Sequence, residues 1–384
     1  LHRIDRRGRD SSRCDRLTTN VAACKPAIWI DVDNSPHVPL FAPILSYFRS
    51  QDVSVLLTAR DHSQTIELLD LHGFSGTYTV VGTHAGGSKL KKIAGLISRA
   101  WQLARSIKKS GIRPAVAVSH GSRSMVLAAR WLKIPVITMY DYEHTETWIF
   151  NRFSKRVLVP ETIPDEVLDQ IGLKPGRRAK YSGLKEEIYL HYFSPATNFR
   201  EGLAAELGFA ISDATVLAVL RPPATTANYH DPKSEEIFDA ILKRINRSEN
   251  TLAVIVPRTS EQRHEVEQLL ERGRYSKERL IVLKHAVNGL DLAVAADLMI
   301  SGGGTMNREA ALLGVPVYSI FSGRLGSIDA QMESDGRIKF IRERSQIEDI
   351  DLISRDRSDS IGVNIPDRVE RFVIEQINSF VSRA

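Results

Sequence analysis

Cysteine is nearly missing from this chain. Its 384 residues contain two, Cys14 and Cys24, and both fall within the first 25. From residue 26 onward there is no thiol, which excludes a disulfide framework and a cysteine-ligated metal from the body. No apolar run approaches the roughly 20 residues of a membrane-spanning helix. Charge of one sign is also scarcer than the net +6 suggests, because residues 1–25 hold seven Lys/Arg against three Asp. That segment accounts for +4 and leaves +2 for the rest. A nearly balanced body offers little to a nucleic acid, so no nucleic-acid partner is expected. The chain starts with Leu1, and no apolar signal core follows it. The expectation is therefore a basic, disordered arm over 1–25, not a secretory leader. The expected location is cytoplasmic.

What is present points to two α/β domains. The length exceeds one ordinary core. From Ala27, short β-branched runs (27–32, 53–57, 77–81, 115–119, 134–139, 156–159) alternate with segments of helical spacing (38–50, 63–72, 89–110, 121–132, 143–153). The rhythm pauses over 172–200, where Gly and Pro collect, and resumes. A second series has runs at 214–220, 251–257, 279–283, 297–300 and 315–320, with helices at 234–246, 260–273, 289–296, 305–313 and 366–381. Strand–helix alternation means parallel sheets covered by helices on both faces. The expected units are 26–185 and 186–384, two facing Rossmann-like domains. Ligands bind such sheets beyond the carboxyl ends of the strands, here in the cleft between domains.

Several strand ends carry polar clusters. Residues 301–309 read Ser-Gly-Gly-Gly-Thr-Met-Asn-Arg-Glu after an apolar run. Gly302, Gly303 and Gly304 permit a sharp turn and close approach of a ligand. Thr305 is expected to cap the following helix, whose free N–H groups suit a phosphate. Glu309, one turn further on, is placed to reach a ribose hydroxyl. The first strand ends Asp31-Val-Asp33-Asn34-Ser35-Pro36-His37, with Asn34 or Ser35 as helix cap. His37 is the natural general base, with Asp33 and Glu143 as alternative carboxylates. His120 and Ser122 end the fourth strand, and Asp141 and Glu143 lie in Tyr-Asp-Tyr-Glu-His after the fifth. Asn34, His120, Ser122 and Asp141 form the expected acceptor side. Arg221 and Arg258 end strands of the second series and offer guanidinium forks to a diphosphate. Asp329 and Gln331 overhang the same cleft. No metal site is expected.

The segment Ala-Asp-Leu-Met-Ile-Ser-Gly-Gly-Gly-Thr-(x)3-Glu-Ala-Ala-Leu-Leu-Gly-Val-Pro resembles the nucleotide-sugar motif of GT-B glycosyltransferases. It is similar to that of the peptidoglycan N-acetylglucosaminyltransferase and of the non-hydrolysing UDP-N-acetylglucosamine 2-epimerases. With Ile-Trp-Ile-Asp-Val-Asp-Asn-Ser-Pro-His-Val, Leu-Leu-Thr-Ala-Arg-Asp, Ser-His-Gly-Ser and Tyr-Asp-Tyr-Glu-His, the chain resembles a bacterial and archaeal family of predicted glycosyltransferases built on a domain of unknown function. The resemblance implies a GT-B-like fold and metal-independent, inverting transfer from a nucleotide-diphosphate sugar, UDP-sugar foremost, with no other cofactor. It implies an unknown sugar or lipid-linked acceptor, in cell-surface polysaccharide or glycoconjugate synthesis, and with it a place at the inner membrane face. It also implies roles: Glu309 on the ribose, Gly302–Thr305 and Arg221 on the diphosphate, Asp329 and Gln331 on the donor sugar, and His37 as base. The alternatives are a 2-epimerase-like enzyme and a non-catalytic nucleotide-sugar-binding protein. The epimerases read His-Gly-Asp where this chain has His120-Gly121-Ser122, and a His-Arg pair where it has Leu220-Arg221.

Overall fold

The structure is a computed structural model that describes residues 25–62, 64–83, 89–208, 211–212, 215–223, 232–273, 275–285, 287–356 and 364–382. The basic arm lies outside the described residues up to residue 24.

Two parallel sheets form the frame. The first takes β1 (Ala27–Val32), β2 (Ser54–Asp61), β3 (Tyr78–Thr83), β4 (Val116–His120), β5 (Val136–Met139), β6 (Arg156–Pro160) and β7 (Arg178–Tyr181) in the order β3-β2-β1-β4-β5-β6-β7. The second takes β8 (Val216–Arg221), β9 (Thr251–Ile255), β10 (Leu280–Val282), β11 (Leu298–Ser301), β12 (Val317–Ser319) and β13 (Lys339–Phe340) in the order β10-β9-β8-β11-β12-β13. All described pairings are parallel. Each sheet reverses strand order beside its first strand, between β1 and β4 and between β8 and β11. Crevices open at such points. Central strands are buried on both faces, so they read as continuous apolar runs; β1, Ala-Ile-Trp-Ile-Asp-Val, is buried throughout.

Helices cover both faces of each sheet. Over the first sheet, α1 (His37–Ser50) and α2 (Thr65–Leu71) lie on one side. On the other lie α3 (Lys89–Lys109), α4 (Arg123–Leu132), α5 (Trp148–Phe153) and α6 (Asp165–Gln170). The chain then runs through α7 (Glu187–Leu190) and α8 (Phe199–Leu207) to the second sheet. That sheet is packed by α9 (Pro232–Arg247) and α10 (Ser260–Gly273) on one face. Its other face takes α11 (Gly289–Ala295), α12 (Thr305–Leu312) and α13 (Ser327–Ser334). The last helix, α14 (Arg368–Val381), returns to the first sheet, where Val369, Val373, Ile374 and Ile377 join the core around α1.

Two local departures from the sequence pattern have physical causes. The pause over 172–200 contains a strand, β7; as an edge strand of Arg-Ala-Lys-Tyr it is only partly buried and lacks an apolar run. The helix expected over 143–153 is confined to Trp148–Phe153, because residues 142–144 are drawn away to bond the second domain.

Candidate functional site

The carboxyl end of β1 is anchored by a buried ionic cluster. Asp31, fully buried, accepts from both terminal nitrogens of Arg99 at 3.0 Å and from the hydroxyls of Thr58 and Ser122 at 2.6 Å. Arg99 also donates to the Val81 carbonyl and lies 3.1 Å from Asp33. Burial raises the Asp33 carboxyl, Arg99 opposes this, and Asp31 adds to the rise. Asp33 is thus engaged in the anchor with Arg99 and Arg60. Ser122 is the N-cap of α4, accepting from the Met125 N–H, and is fully buried. It belongs to the anchor, not to an acceptor wall.

The turn after Asp33 delivers His37 to the sheet edge. Neither Asn34 nor Ser35 caps α1; its N-cap is Pro36, and the Asn34 side chain closes on the Ser35 N–H instead. A proline has no side-chain acceptor, so the turn is held by the Asn34 and Ser35 carbonyls receiving His37 and Val38. His37 then packs its ring on His120 from β4, with centroids 4.7 Å apart. Burial pushes the His37 imidazole well below its ordinary 6.5, and His120 and Lys185 add to this against Asp141. His37 is therefore neutral at pH 7. Its Nδ1 and the His120 Nε2 are both buried without a hydrogen-bond partner. His120 Nε2 faces Asp141 at 3.5 Å, too long for a made bond but short enough for attraction.

Asp141, at the end of β5, is the hub. Its Oδ2 accepts from Lys185 and from Arg308, each at 2.6 Å. Burial alone would raise this carboxyl, but Lys185 and Arg308 hold it well below the usual range. Arg308 comes from α12 of the second domain and also grips Asp329 at 2.8 and 3.1 Å. Lys185, in the connection between domains, bonds Glu186 at 2.5 Å as well. The Glu186 Oε2 and the Tyr181 hydroxyl are buried without partners. A buried Asp–Arg–Asp bridge with a lysine beside it thus joins the two sheet edges.

On the second domain the glycine turn is built as its composition suggested. A Cβ on Gly302 would lie 2.8 Å from the Pro223 Cα, so two strand-end loops meet there without room for a side chain. Gly303 and Gly304 hold φ of +93° and +101°, where other residues are strained. Gly304, not Thr305, is the N-cap of α12, and Thr305 is its first helical residue. Gly304 has no side chain with which to cap the helix start. Glu309 accepts from the Tyr189 hydroxyl at 2.5 Å. Burial raises the Glu309 carboxyl; Tyr189, Arg221 and Lys185 oppose, Glu186 reinforces, and the net shift is upward. Arg221 reaches the Met306 sulfur on α12 at 3.1 Å. Arg258 stands in the loop after β9, held by its N–H to Gln262, which also binds the Pro223 carbonyl.

A strap from the first domain completes the edge. The Tyr142 hydroxyl donates to the Arg324 carbonyl at 2.8 Å, and His144 Nε2 lies 3.1 Å from the Leu325 carbonyl. Glu143 accepts the Ser327 N–H at 2.7 Å, capping α13 from across the cleft. Gly326 leaves space for this, since its Cβ would meet the Tyr142 ring at 2.9 Å. Glu143 is therefore a domain-bridging cap in this conformation.

Of the residues expected from sequence, His37, His120 and Asp141 come together on the first edge. Asp141 meets Asp329 through Arg308, and Gly302–Gly304, Arg221 and Glu309 share the second edge. Gln331 does not join them: it is exposed and bonds Asp335, because residues two apart on a helix face different ways. Arg308, Lys185, Glu186 and Tyr189 went unread. Arg308 offered one signal, a cation adjacent to Glu309 on the helix that follows the glycine turn. The other three lie in a stretch without periodicity. Among the described residues no His, Cys, Asp and Glu group is arranged to hold a metal.

This geometry has structural relatives. A UDP-GlcNAc 2-epimerase from Neisseria meningitidis, solved bound to UDP-GlcNAc, superposes with a TM-score of 0.70 at 14% identity, covering 92% of this chain and 100% of that one. A glycosyltransferase from Rickettsia africae gives a TM-score of 0.57 at 12% identity, over 94% and 98%. The fold is thus GT-B-like. In sequence, Uncharacterized protein MJ0665 of Methanocaldococcus jannaschii is 27% identical over 322 residues, covering 81% of this chain and 86% of its own. Residues 26–381 match the family described as protein of unknown function (DUF354), and the chain belongs to that family.

Proposed function

We propose that the protein is a glycosyltransferase that moves a sugar from a nucleotide diphosphate to an acceptor hydroxyl in the cleft. One observation carries the reading. A neutral histidine, His37, stacked on His120 and followed by Asp141, occupies the first sheet edge, and Asp141 bonds the helix whose start is the glycine turn. The residues read as proton acceptor and as anion cradle are thus linked across the two sheet edges through Asp141 and Arg308.

In this reading the nucleotide lies on the second domain, with the ribose at Glu309 and the diphosphate at Gly302–Thr305 beside Arg221 and Arg258. An acceptor hydroxyl on the first domain, from a sugar or a lipid-linked sugar, attacks the anomeric carbon. Its oxygen forms the new bond, its proton passes to His37, and the bond to the diphosphate oxygen breaks with inversion. The leaving diphosphate keeps the electron pair and is stabilised by the α12 N-terminus and Arg221. The imidazolium formed on His37 is offset by Asp141 through His120. Asp329, which accepts from Arg308, meets the donor sugar in this reading.

The competing 2-epimerase reading rests on the fold shared with the Neisseria enzyme. Against it, Ser122 replaces the epimerase aspartate and is buried, donating to Asp31. It supplies no carboxylate to the cleft.

Thermal shift with UDP, ADP, GDP and UDP-GlcNAc tests the donor. A ligand at a hundred times its Kd adds about 2.7 kcal/mol of stability, several degrees. Stabilisation by a nucleoside diphosphate that Glu309→Ala abolishes supports the site; no stabilisation by any of them overturns it. Acceptor-dependent release of the diphosphate supports transfer, whereas acceptor-free conversion of a nucleotide sugar to its C2 epimer would establish the competing reading.

A further inference from the structure

Between Asp70 and Asp141 the chain contains no Asp or Glu, against eleven Lys and Arg. That exceeds the +6 of the whole chain, so the remainder is net acidic. The near balance of the body conceals a sharp segregation of charge. Folded, this stretch supplies α3 and α4, which pack side by side in the outer layer over the first sheet.

The exposed side of α3 is unusual in a second way. Ile93, Ile97 and Trp101 follow one another at four-residue spacing and are 54, 51 and 56% exposed. Lys91, Lys92, Arg105, Lys108 and Lys109 are exposed along the same helix, which has no acidic residue. The Arg105 guanidinium lies over the Trp101 ring, 5.4 Å from its centroid. Trp131 near the end of α4 and Trp148 at the start of α5 are likewise half exposed or more. The apolar stripe is not a misplaced core face. Ala100, Leu103, Ala104 and Ile107 fill the inner side, and Arg99 is clamped on Asp31.

We propose that the outer face of α3 is a docking surface for an anionic lipid bilayer. The helix lies in the interface plane, with Ile93, Ile97 and Trp101 at headgroup depth and the surrounding cations against lipid phosphates. Charge selects this occupant. A second copy meeting the face about a two-fold axis would set cations against cations. Residues 1–24 are themselves net basic and are repelled in the same way. Aliphatic side chains at helical spacing are of no use to a nucleic-acid backbone but suit acyl chains. The docked helix also fixes the orientation of the molecule. It begins where β3 ends, at the carboxyl edge of the first sheet, and Arg99 ties it to the end of β1. The edge carrying His37 and Asp141 is thereby held near the headgroups. This inference does not depend on sugar transfer.

Sedimentation of the full chain with phosphatidylcholine vesicles, with and without phosphatidylglycerol, tests it. The protein is expected to pellet with the anionic vesicles only, less as salt rises, with a blue shift of tryptophan emission. The pair Lys108→Glu and Lys109→Glu should weaken binding about tenfold or more. The pair Ile97→Ser and Trp101→Ser should weaken it comparably. An unchanged circular-dichroism melt keeps either loss interpretable, and the lysine pair alone decides if the apolar pair unfolds. No binding to anionic vesicles, or binding unaffected by both pairs, overturns the proposal. So does binding abolished by deleting residues 1–24, or a dimer that the apolar pair dissociates.

Discussion

Replacing Arg308 with methionine removes the cation that joins the two domains. The side chain is 6% exposed and lies between Asp141 and Asp329, which are 10 and 19% exposed. Removing one partner of a buried ion pair costs about 3–5 kcal/mol, because the other charge stays buried and unpaired. Two features pull the figure to the low end. Asp141 keeps Lys185 at 2.6 Å, and Asp329 retains some contact with water. A loss of about 3 kcal/mol corresponds to about 6–12 °C in Tm for domains of this size. The pH dependence should change with it. In the native protein Asp141 is held well below its ordinary 3.8. A depressed carboxyl contributes stability that is complete above its unfolded pKa and is lost as pH falls through the folded one. Arg308→Met moves that loss to higher pH. Calorimetry across an acid series measures both effects, and Asp141→Asn completes a cycle. If the pair is made, the double variant should be less destabilised than the two single losses added, by about 1–3 kcal/mol. A melt within about 1 °C of the native protein, or strictly additive losses, would refute the buried bridge.

Two other outcomes follow from the site. The His37 pKa is depressed below 6.5 by burial first and by His120 and Lys185 next, so it is the deprotonated imidazole that is present at neutrality. Transfer activity should fall on an acid limb below pH 6.5, and His37→Gln should abolish both the limb and ~100-fold or more of kcat; a variant that keeps full kcat refutes the base role. Gly302→Ala sets a methyl 2.8 Å from backbone at Pro223, which cannot rotate away. A loss of about 1–3 kcal/mol with weakened nucleotide binding is expected, and an unchanged denaturation midpoint would show that the loops are not in contact.

The frame was legible because doubly buried strands and amphipathic helices leave different periods in a sequence. β1, β4, β8 and β11 announce themselves as apolar runs ending in polar clusters, and the cleft follows from where those clusters fall. The edge strand β7 was not legible, since a half-buried strand needs no apolar run. The caps were misread for a local reason: Asn34 closes its own turn, and Gly304 takes the position that Thr305 suits chemically. Ser122 and Asp33 look like cleft residues in a linear reading because both end strands. Arg99, from 66 residues further along than Asp33, draws them into an anchor beneath the cleft. Such long-range pairings have no signature in local spacing. Arg308 and Lys185 were missed on the same ground, since each is defined by a carboxylate on another element.

The short connection 184–190 is tied by its side chains to both domains. Lys185 bonds Asp141 of the first domain, and Tyr189, four residues on, bonds Glu309 of the second. Between them Glu187 accepts the Leu184 N–H and meets Arg368 of α14, which packs on the first sheet. Arg308 and Glu309, adjacent on α12, therefore reach opposite ends of one network. Arg308 bonds Asp141 directly, and Glu309 reaches it through Tyr189 and the connection to Lys185. In the proposed reading the nucleotide ribose would compete with the Tyr189 hydroxyl for the Glu309 carboxyl. A ligand moves domains only by binding one arrangement better than another. Loss of the Tyr189 bond on nucleotide binding would be such a difference, because it loosens the connection at one end and leaves the Asp141–Arg308 bond at the other.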